Sequence, residues 1–318
     1  MGKFRDNMLK TLPNFSKLQT LPNKGFNWYA DSNQIIDSVN TIKKDKIIVI
    51  KEQITKPQWI KFEELLGNIN QQYLIITDGL PFEWVKNSKL TVIQTHSYVR
   101  NTLEEFDEIF KTYSFKHFQR KVNLIEKDFF MMYGRWSYHR EQVVAELESR
   151  SLLDESIYSR PTFEGIKGRS IENAKEPTPD QTRYNHTRNF KSVLENSQKC
   201  HCYIVLENNG LLQDTDQTMT EKIIWPILAQ TPFILAVGIE KAKKLSDWGI
   251  LPADSPRHSI RSFTEQVLWL KSEFKNLTRA QKWQDSQGEK INLNLKLLKN
   301  LKNVIDLDVE SQFRQHGI

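Results

Sequence analysis

The feature that most constrains this chain is a series of short apolar runs that do not alternate with polar residues. Lys46–Ile50 (KIIVI), Tyr73–Thr77 (YLIIT), Leu90–Ile93 (LTVI), Asp128–Tyr133 (DFFMMY), His201–Leu206 (HCYIVL) and Pro232–Val237 (PFILAV) are each four to six residues long. Strict alternation marks a strand with one wet face, whereas continuous apolar runs of this length mark strands buried on both faces. Helical periodicity fills the intervals. Pro57 opens one pattern through Trp59, Ile60, Phe62, Leu65 and Leu66, and Leu103–Tyr113 carries another. His139–Arg150 sets Val143, Val144 and Leu147 on one face, and Thr220–Leu228 and Glu240–Trp248 follow later strands. Strands that alternate with helices predict an α/β fold, with parallel sheets covered by helices on both sides.

The alternation pauses near residues 120–127, which splits the strands into two sets. We expect an N-terminal α/β domain over 1–125 and a second α/β domain over 126–259. A basic helical extension over 260–318 should pack through Leu293, Leu297, Leu301 and Val304. Ser156–Ser159 reads as a further short strand. The stretch Arg160–Lys199 that follows is polar and aperiodic until Phe190, and a segment of that length inside a domain points to a functional loop.

Composition narrows the function classes. A net charge of +6 is a modest excess that suits phosphate-bearing ligands or nucleic acid. Cys200 and Cys202 flank His201 on one strand, which places both thiols on one face but falls short of a closed zinc site. Buried, reduced thiols are the expectation. The first fifteen residues lack the apolar core of a signal peptide, Asp6 stands where a myristoylation signal needs Ser or Thr, and no apolar run reaches membrane-spanning length. We therefore read a cytoplasmic protein. GxxxxGK[ST], GxGxxG, HExxH and GxSxG are all missing, which argues against P-loop ATPases, dinucleotide oxidoreductases, zincins and serine hydrolases.

In open α/β sheets, ligands bind beyond the carboxyl ends of the strands. That rule selects Glu52, Asp78, His96, Gly134-Arg135 and Glu207-Asn208-Asn209. The last group opens the segment ENNGLLQDTDQTMTEK, which ends on Thr220-Glu221-Lys222 at the start of a helix. Thr220 is a candidate N-cap, and Lys222 at such a helix start can neutralise a phosphate while Glu207 or Glu221 accepts hydrogen bonds from sugar hydroxyls. Gly134 allows close backbone approach and Arg135 can grip a diphosphate in bidentate fashion. Arg183, Tyr184, His186 and Arg188 could fold over a ligand as a lid.

The order strand, Glu-Asn, acidic loop, Thr-Glu-Lys, helix, Pro-Phe-Ile-Leu resembles the nucleotide-sugar motif of fucosyltransferases. Glu207, Asn208, Thr220, Glu221 and Lys222 match that motif. Asn209 stands where that family has Ser, and Asp214 or Asp216 fills the acidic position of a slightly longer loop. The resemblance covers about residues 203 to 250. It implies two facing Rossmann-like domains of the GT-B type and a nucleoside-diphosphate sugar as donor substrate. Glu221 and Lys222 would contact its nucleotide part, and Arg135 stands where such two-domain enzymes keep an arginine on the donor phosphate. It further implies an inverting transfer that requires no metal. Asp214-Thr-Asp216 has the spelling of a metal motif but lies in a loop between strand and helix.

The acceptor hydroxyl needs a base, which enzymes of this build supply from the N-terminal half. Asp78 just beyond a strand end, Glu83 close behind it and His96 at the end of the next strand are the candidates. The acceptor itself stays open between a glycan and a hydroxylated base in DNA, which the basic tail would suit. A non-catalytic nucleic-acid-binding protein on the same fold is the reading from another class. If Asp78 is the base, Asp78→Asn lowers the rate of sugar transfer by roughly two to four powers of ten and leaves donor binding intact. Near wild-type transfer by that variant, measured beside Glu83→Gln and His96→Asn, would move the role to another residue.

Overall fold

The structure is a computed structural model that describes residues 23–26, 47–50, 56–66, 73–77, 84–96, 99, 102–103, 120, 124–132, 138–161, 169–172, 193–207 and 219–315. The described residues form a mixed α/β protein with two separate sheets. The chain divides into two compact units, Met1–Arg100 with Thr215–Met219 and Leu301–Ile318, and Asn101–Asp214 with Thr220–Asn300. These limits differ from the expected 1–125, 126–259 and 260–318, because the C-terminal helices are shared between the units rather than forming an extension of their own.

The first unit holds β1 (Asn23–Phe26), β2 (Ile47–Ile50), β3 (Tyr73–Thr77) and β4 (Leu90–Gln94), all parallel and in the order β1-β2-β3-β4. The three apolar runs of this half become β2, β3 and β4 as their composition predicts, while β1 (NKGF) carries no apolar signal and was not expected. Helix α1 (Lys56–Leu66) buries Trp59 and Phe62, whose rings lie 5.3 Å apart. Trp59 Nε1 donates to the Trp84 carbonyl at 2.9 Å, and the Glu63 carboxylate accepts from the backbone of Lys86 and Asn87 at 2.8 and 2.6 Å. The turn that delivers β4 is thus held by α1.

In the second unit the order is β7-β6-β5-β8-β9, built from β5 (Lys127–Met132), β6 (Ile157–Pro161), β7 (Arg169–Glu172), β8 (Cys200–Leu206) and β9 (Phe233–Ala236). β6, β5, β8 and β9 are mutually parallel, and only β7 runs antiparallel, against β6. The aperiodic segment after residue 160 therefore includes a strand, β7, that pairs with β6. Its polar residues conceal it because an edge strand needs no apolar face. Around the sheet lie α2 (Tyr138–Ser149), α3 (Ile224–Leu228), α4 (Ile239–Asp247), α5 (Ile260–Phe274) and α6 (Leu277–Leu298).

Both faces of this sheet are buried, as the continuous apolar runs require. Phe129 and Met131 of β5, Cys202, Ile204 and Leu206 of β8, and Ile234 and Ala236 of β9 share one core with Val143, Val144 and Leu147 of α2 and Phe263, Val267 and Leu270 of α5. Phe130 and Tyr203 meet edge to face at 4.9 Å among the alternate residues. Both cysteines are free and buried, and burial pushes the Cys200 thiol up to about 12, so it stays neutral and unreactive. Arg120 secures the start of β8. Its guanidinium donates to the carbonyls of Cys200 and His201 and to Gln284 Oε1 of α6.

The basic tail packs in a register one residue off the expected one. Leu293 is 42% exposed and Asn294 takes the buried place, because its amide donates to Leu251 O at 2.7 Å and accepts from Leu251 N at 2.8 Å. The helix then ends at Leu298, and α7 (Leu301–Gln315) restarts the pattern with Leu301, Ile305, Val309 and Phe313 inward, so Val304 is not a core position. α7 belongs to the first unit, where the Gln312 amide pairs with both backbone groups of Gln94 in β4 at 2.8 and 3.1 Å.

α2, α3 and α4 end alike, on a residue with positive φ: Ser151 (53°), Gln230 (54°) and Gly249 (81°). After α4, Gly249 N donates to Ser246 O and Ile250 N to Leu245 O, the paired bonds of a Schellman motif. A Cβ on Gly249 would meet nothing closer than 3.8 Å, from the Leu297 side chain, so the site demands glycine through its backbone angle alone. Gly249→Ala therefore costs about 1 kcal/mol, the typical strain of an L residue in this region, with no steric component. Denaturant unfolding with an unchanged slope checks it, and a neutral substitution would contradict this account.

Candidate functional site

β5 and β8 are neighbours in space but lead away in opposite directions. The chain passes from β5 outward to β6 and β7, then returns past β5 to β8 and on to β9. The parallel order β6-β5-β8-β9 is that of a doubly wound sheet, with its switch point between β5 and β8. Whatever follows the carboxyl ends of these two strands stands where such sheets bind ligands.

At the end of β8 stands Glu207, which is 1% exposed. An apolar strand that terminates on a buried carboxylate must supply it with donors, since an unpaired buried charge is costly. Thr220 provides one: its hydroxyl lies 2.8 and 2.7 Å from the two oxygens of Glu207. Lys222 completes a chain, with Nζ donating to Thr220 Oγ1 at 3.1 Å. All three side chains are buried. Carboxylate, hydroxyl and ammonium, read from residues thirteen and two positions apart, thus form one polar cluster at the switch point.

The cluster revises the part expected of Thr220. It does not cap an α-helix directly: residues Glu221–Ile223 form a 3-10 turn that leads into α3, whose first flanking residue is Ile223. Thr220 Oγ1 still receives the Lys222 backbone N–H, at 3.5 Å, but its one proton goes to Glu207. Glu207 likewise has a partner within the protein, the Thr220 hydroxyl.

Two further cations stand at the same edge. Arg140 is the third residue of α2, which follows β5, and Lys241 the third residue of α4, which follows β9; both are 3% exposed. The parallel strands β5, β8 and β9 are therefore each followed by a helical start that carries a buried cation: Arg140, Lys222 and Lys241. Lys241 was not singled out from the sequence, where it is one of three lysines in IEKAKK; its burial beside Leu245 on the inner face of α4 distinguishes it.

The other expected site residues divide as follows. Asp78, Glu83, Arg135, Arg188, Asn208, Asp214 and Asp216 lie outside the described residues, as does the Glu221 side chain. His96 lies in the first unit, with φ of 49° and no exposed surface, and its Nε2 is 3.5 Å from Asp308 Oδ2 of α7. That contact ties the end of β4 to α7. Among the described residues, no group of three or more His, Cys, Asp or Glu side chains is placed to hold a metal ion, and no helix is long and apolar enough to cross a membrane. Comparison with models of protein families, with curated proteins and with solved structures finds no match for this chain.

The cluster makes a stability prediction that is independent of ligand. Thr220→Val keeps the shape but removes the hydroxyl between Glu207 and Lys222. It should cost about 1.5–3 kcal/mol, the range for a hydrogen bond to a charged group. Thr220→Ser should retain most of that. Equal denaturation midpoints for the valine and serine variants would show that the hydroxyl contributes nothing.

Proposed function

We propose that the second unit binds a nucleoside-diphosphate sugar and that the chain is a glycosyltransferase with two Rossmann-like domains. The observation that carries this reading is the buried Glu207–Thr220–Lys222 chain at the switch point of the β5–β8 pair. Sheets of this winding bind diphosphates at their carboxyl edge, and Lys222 is buried at that edge. The order of Glu207, Asn208, Thr220, Glu221 and Lys222 along the chain agrees with the fucosyltransferase-like motif.

In this reading the residues divide the work. Lys222, held by Thr220, faces the diphosphate and stabilises the negative charge that grows on it as the bond to the sugar breaks. Glu207 fixes Thr220, which in turn holds Lys222 Nζ. Arg140 and Lys241 add positive potential from either side, and Arg135 and Arg188 would reach the donor from the loops. The acceptor oxygen attacks the anomeric carbon as the carbon–oxygen bond to the diphosphate breaks. The electron pair leaves with the diphosphate, and the acceptor proton passes to a base. Inversion follows from this single displacement, and the cations take the place that a metal occupies in other transferases. A base must reach the acceptor oxygen within hydrogen-bond distance. His96, fully buried beside Asp308, suits a structural role better, which leaves Asp78 and Glu83 as the base candidates.

Binding is the first test. Nucleoside diphosphates should raise the melting temperature, by about 2.7 kcal/mol of added stability at a hundred times Kd, while free monosaccharides leave it unchanged. Lys222→Met keeps the buried stem but loses the charge, and should remove most of that gain. If the methionine variant is stabilised as strongly as the wild type, Lys222 does not hold the diphosphate. If no nucleoside diphosphate stabilises the wild type, the donor assignment fails.

A further inference from the structure

β9 is the outer strand of its sheet, and the chain itself closes the free side. After α4, residues 253–258 run alongside β9: Ala253 N donates to Phe233 O at 2.7 Å, and Arg257 forms a parallel bridge with Ala236. The Asp254 carboxylate holds this segment in place. It accepts from Ser255 N at 2.8 Å, from Arg257 Nη2 at 3.1 Å and from Nε2 of the buried Gln266 of α5 at 2.7 Å. Ser259 then caps α5, its hydroxyl oxygen accepting from Ser262 N at 3.2 Å. His258 stands between these two anchored points.

Register sets the place of His258 along the sheet. Leu206 of β8 pairs with Ala236 of β9, and Ala236 with Arg257. One residue further along the same three segments stand Glu207, Val237 and His258. His258 is thus delivered to the carboxyl edge that carries Glu207, two strand spacings or about 10 Å away. Its imidazole ends the row, with Nδ1 3.1 Å from the Val237 carbonyl oxygen. A carbonyl only accepts, so Nδ1 carries the proton, and Nε2 of the neutral ring is left as an acceptor. The residue is exposed. The sheet therefore orients the ring by one nitrogen and leaves its other edge open.

We propose that His258 determines specificity at this edge, where its Nε2 accepts a hydrogen bond from a hydroxyl on a sugar ring of the ligand. The inference rests on the reading of the second unit as a nucleoside-diphosphate sugar site. Two observations lead to a hydroxyl. The tautomer fixed by Val237 offers an acceptor, which suits a neutral O–H and not a phosphate oxygen. A diphosphate held at Lys222 is also too short to span the interval to His258, so a ring joined to it makes the contact. That ring is the ribose or the transferred sugar, and both present the same chemistry. His258 fixes where the ring lies and exchanges no proton in the transfer.

The test measures calorimetric binding of ADP, CDP, GDP and UDP to the full chain. The tightest of them is then compared with its 2′,3′-dideoxy form and with its glucose conjugate. If the ribose makes the contact, the dideoxy form should bind about three- to tenfold more weakly, the worth of one neutral hydrogen bond. If the transferred sugar makes it, the dideoxy form should bind equally and the glucose conjugate should gain by a similar factor. His258→Asn keeps an amide for the Val237 carbonyl but has nothing at the Nε2 position, and it should erase whichever preference the wild type shows. His258→Phe should do the same, which keeps the test decisive if the asparagine variant fails to fold. A histidine with a structural role alone would leave these ratios unchanged, and unchanged ratios in the variants, or neither preference in the wild type, overturn the proposal. If Lys222→Met weakens binding while His258→Asn keeps the wild-type ratios, the His258 contact is wrong and the donor site stands. If the wild type binds none of the four nucleoside diphosphates, both fall.

Discussion

β8 is buried on both faces for nearly its whole length, and this one condition organises the second unit. A strand in that position can have no solvated side, so α2 and α5 must cover one face while α3 and its flanking residues stand over the other. It must also lie between parallel neighbours, β5 and β9, to satisfy its backbone. Because β5 precedes it by a long excursion through β6 and β7, the sheet is wound in two directions from this pair, and their carboxyl ends form its switch point. The end of the most buried strand is therefore also the place where polar groups can gather. Cys200 and Cys202, expected from the sequence to be buried reduced thiols, are explained by the same burial: they are small apolar residues in a crowded strand.

What gathers there is a carboxylate, a hydroxyl and an ammonium, each nearly excluded from water. Burying such groups does not in general stabilise a fold; a well-packed apolar replacement is often as good or better. Thr220 is the pivot, because its hydroxyl can donate to Glu207 and accept from Lys222 at once. A carboxylate in its place could only accept.

Much of this was legible before any coordinates. Continuous apolar runs gave away β2 to β5, β8 and β9, since strands buried on both faces carry their environment in every residue. Glu207, Thr220 and Lys222 could be marked from strand-end logic, although it could not foresee that Thr220 bonds to Glu207 thirteen positions before it and to Lys222. The missed features are those whose stabilising partner is remote or is backbone. β1 and β7 are polar and short, and pairing alone defines them. Asn294 looks like a surface residue until its amide is seen to mimic a peptide group against Leu251, and this shifts the apparent register of α6 by one place. Lys241 is hidden among like residues, because burial of a single lysine in a run leaves no trace in composition.

The Gln312 amide has a similar peptide-like role in the first unit, where it answers the outward-facing N–H and C=O of Gln94 on β4. β4 is the outer strand of the described sheet, and an open strand edge is a template for any other extended chain. The residues that close it are separated by 218 positions. At ordinary ribosomal speed that interval takes about 10–40 s to synthesise, and throughout it the nascent β4 has no α7 to cover it. The first sheet to emerge is thus among the last to be finished. Between those two moments it depends on whatever in the cell keeps unpaired strands apart.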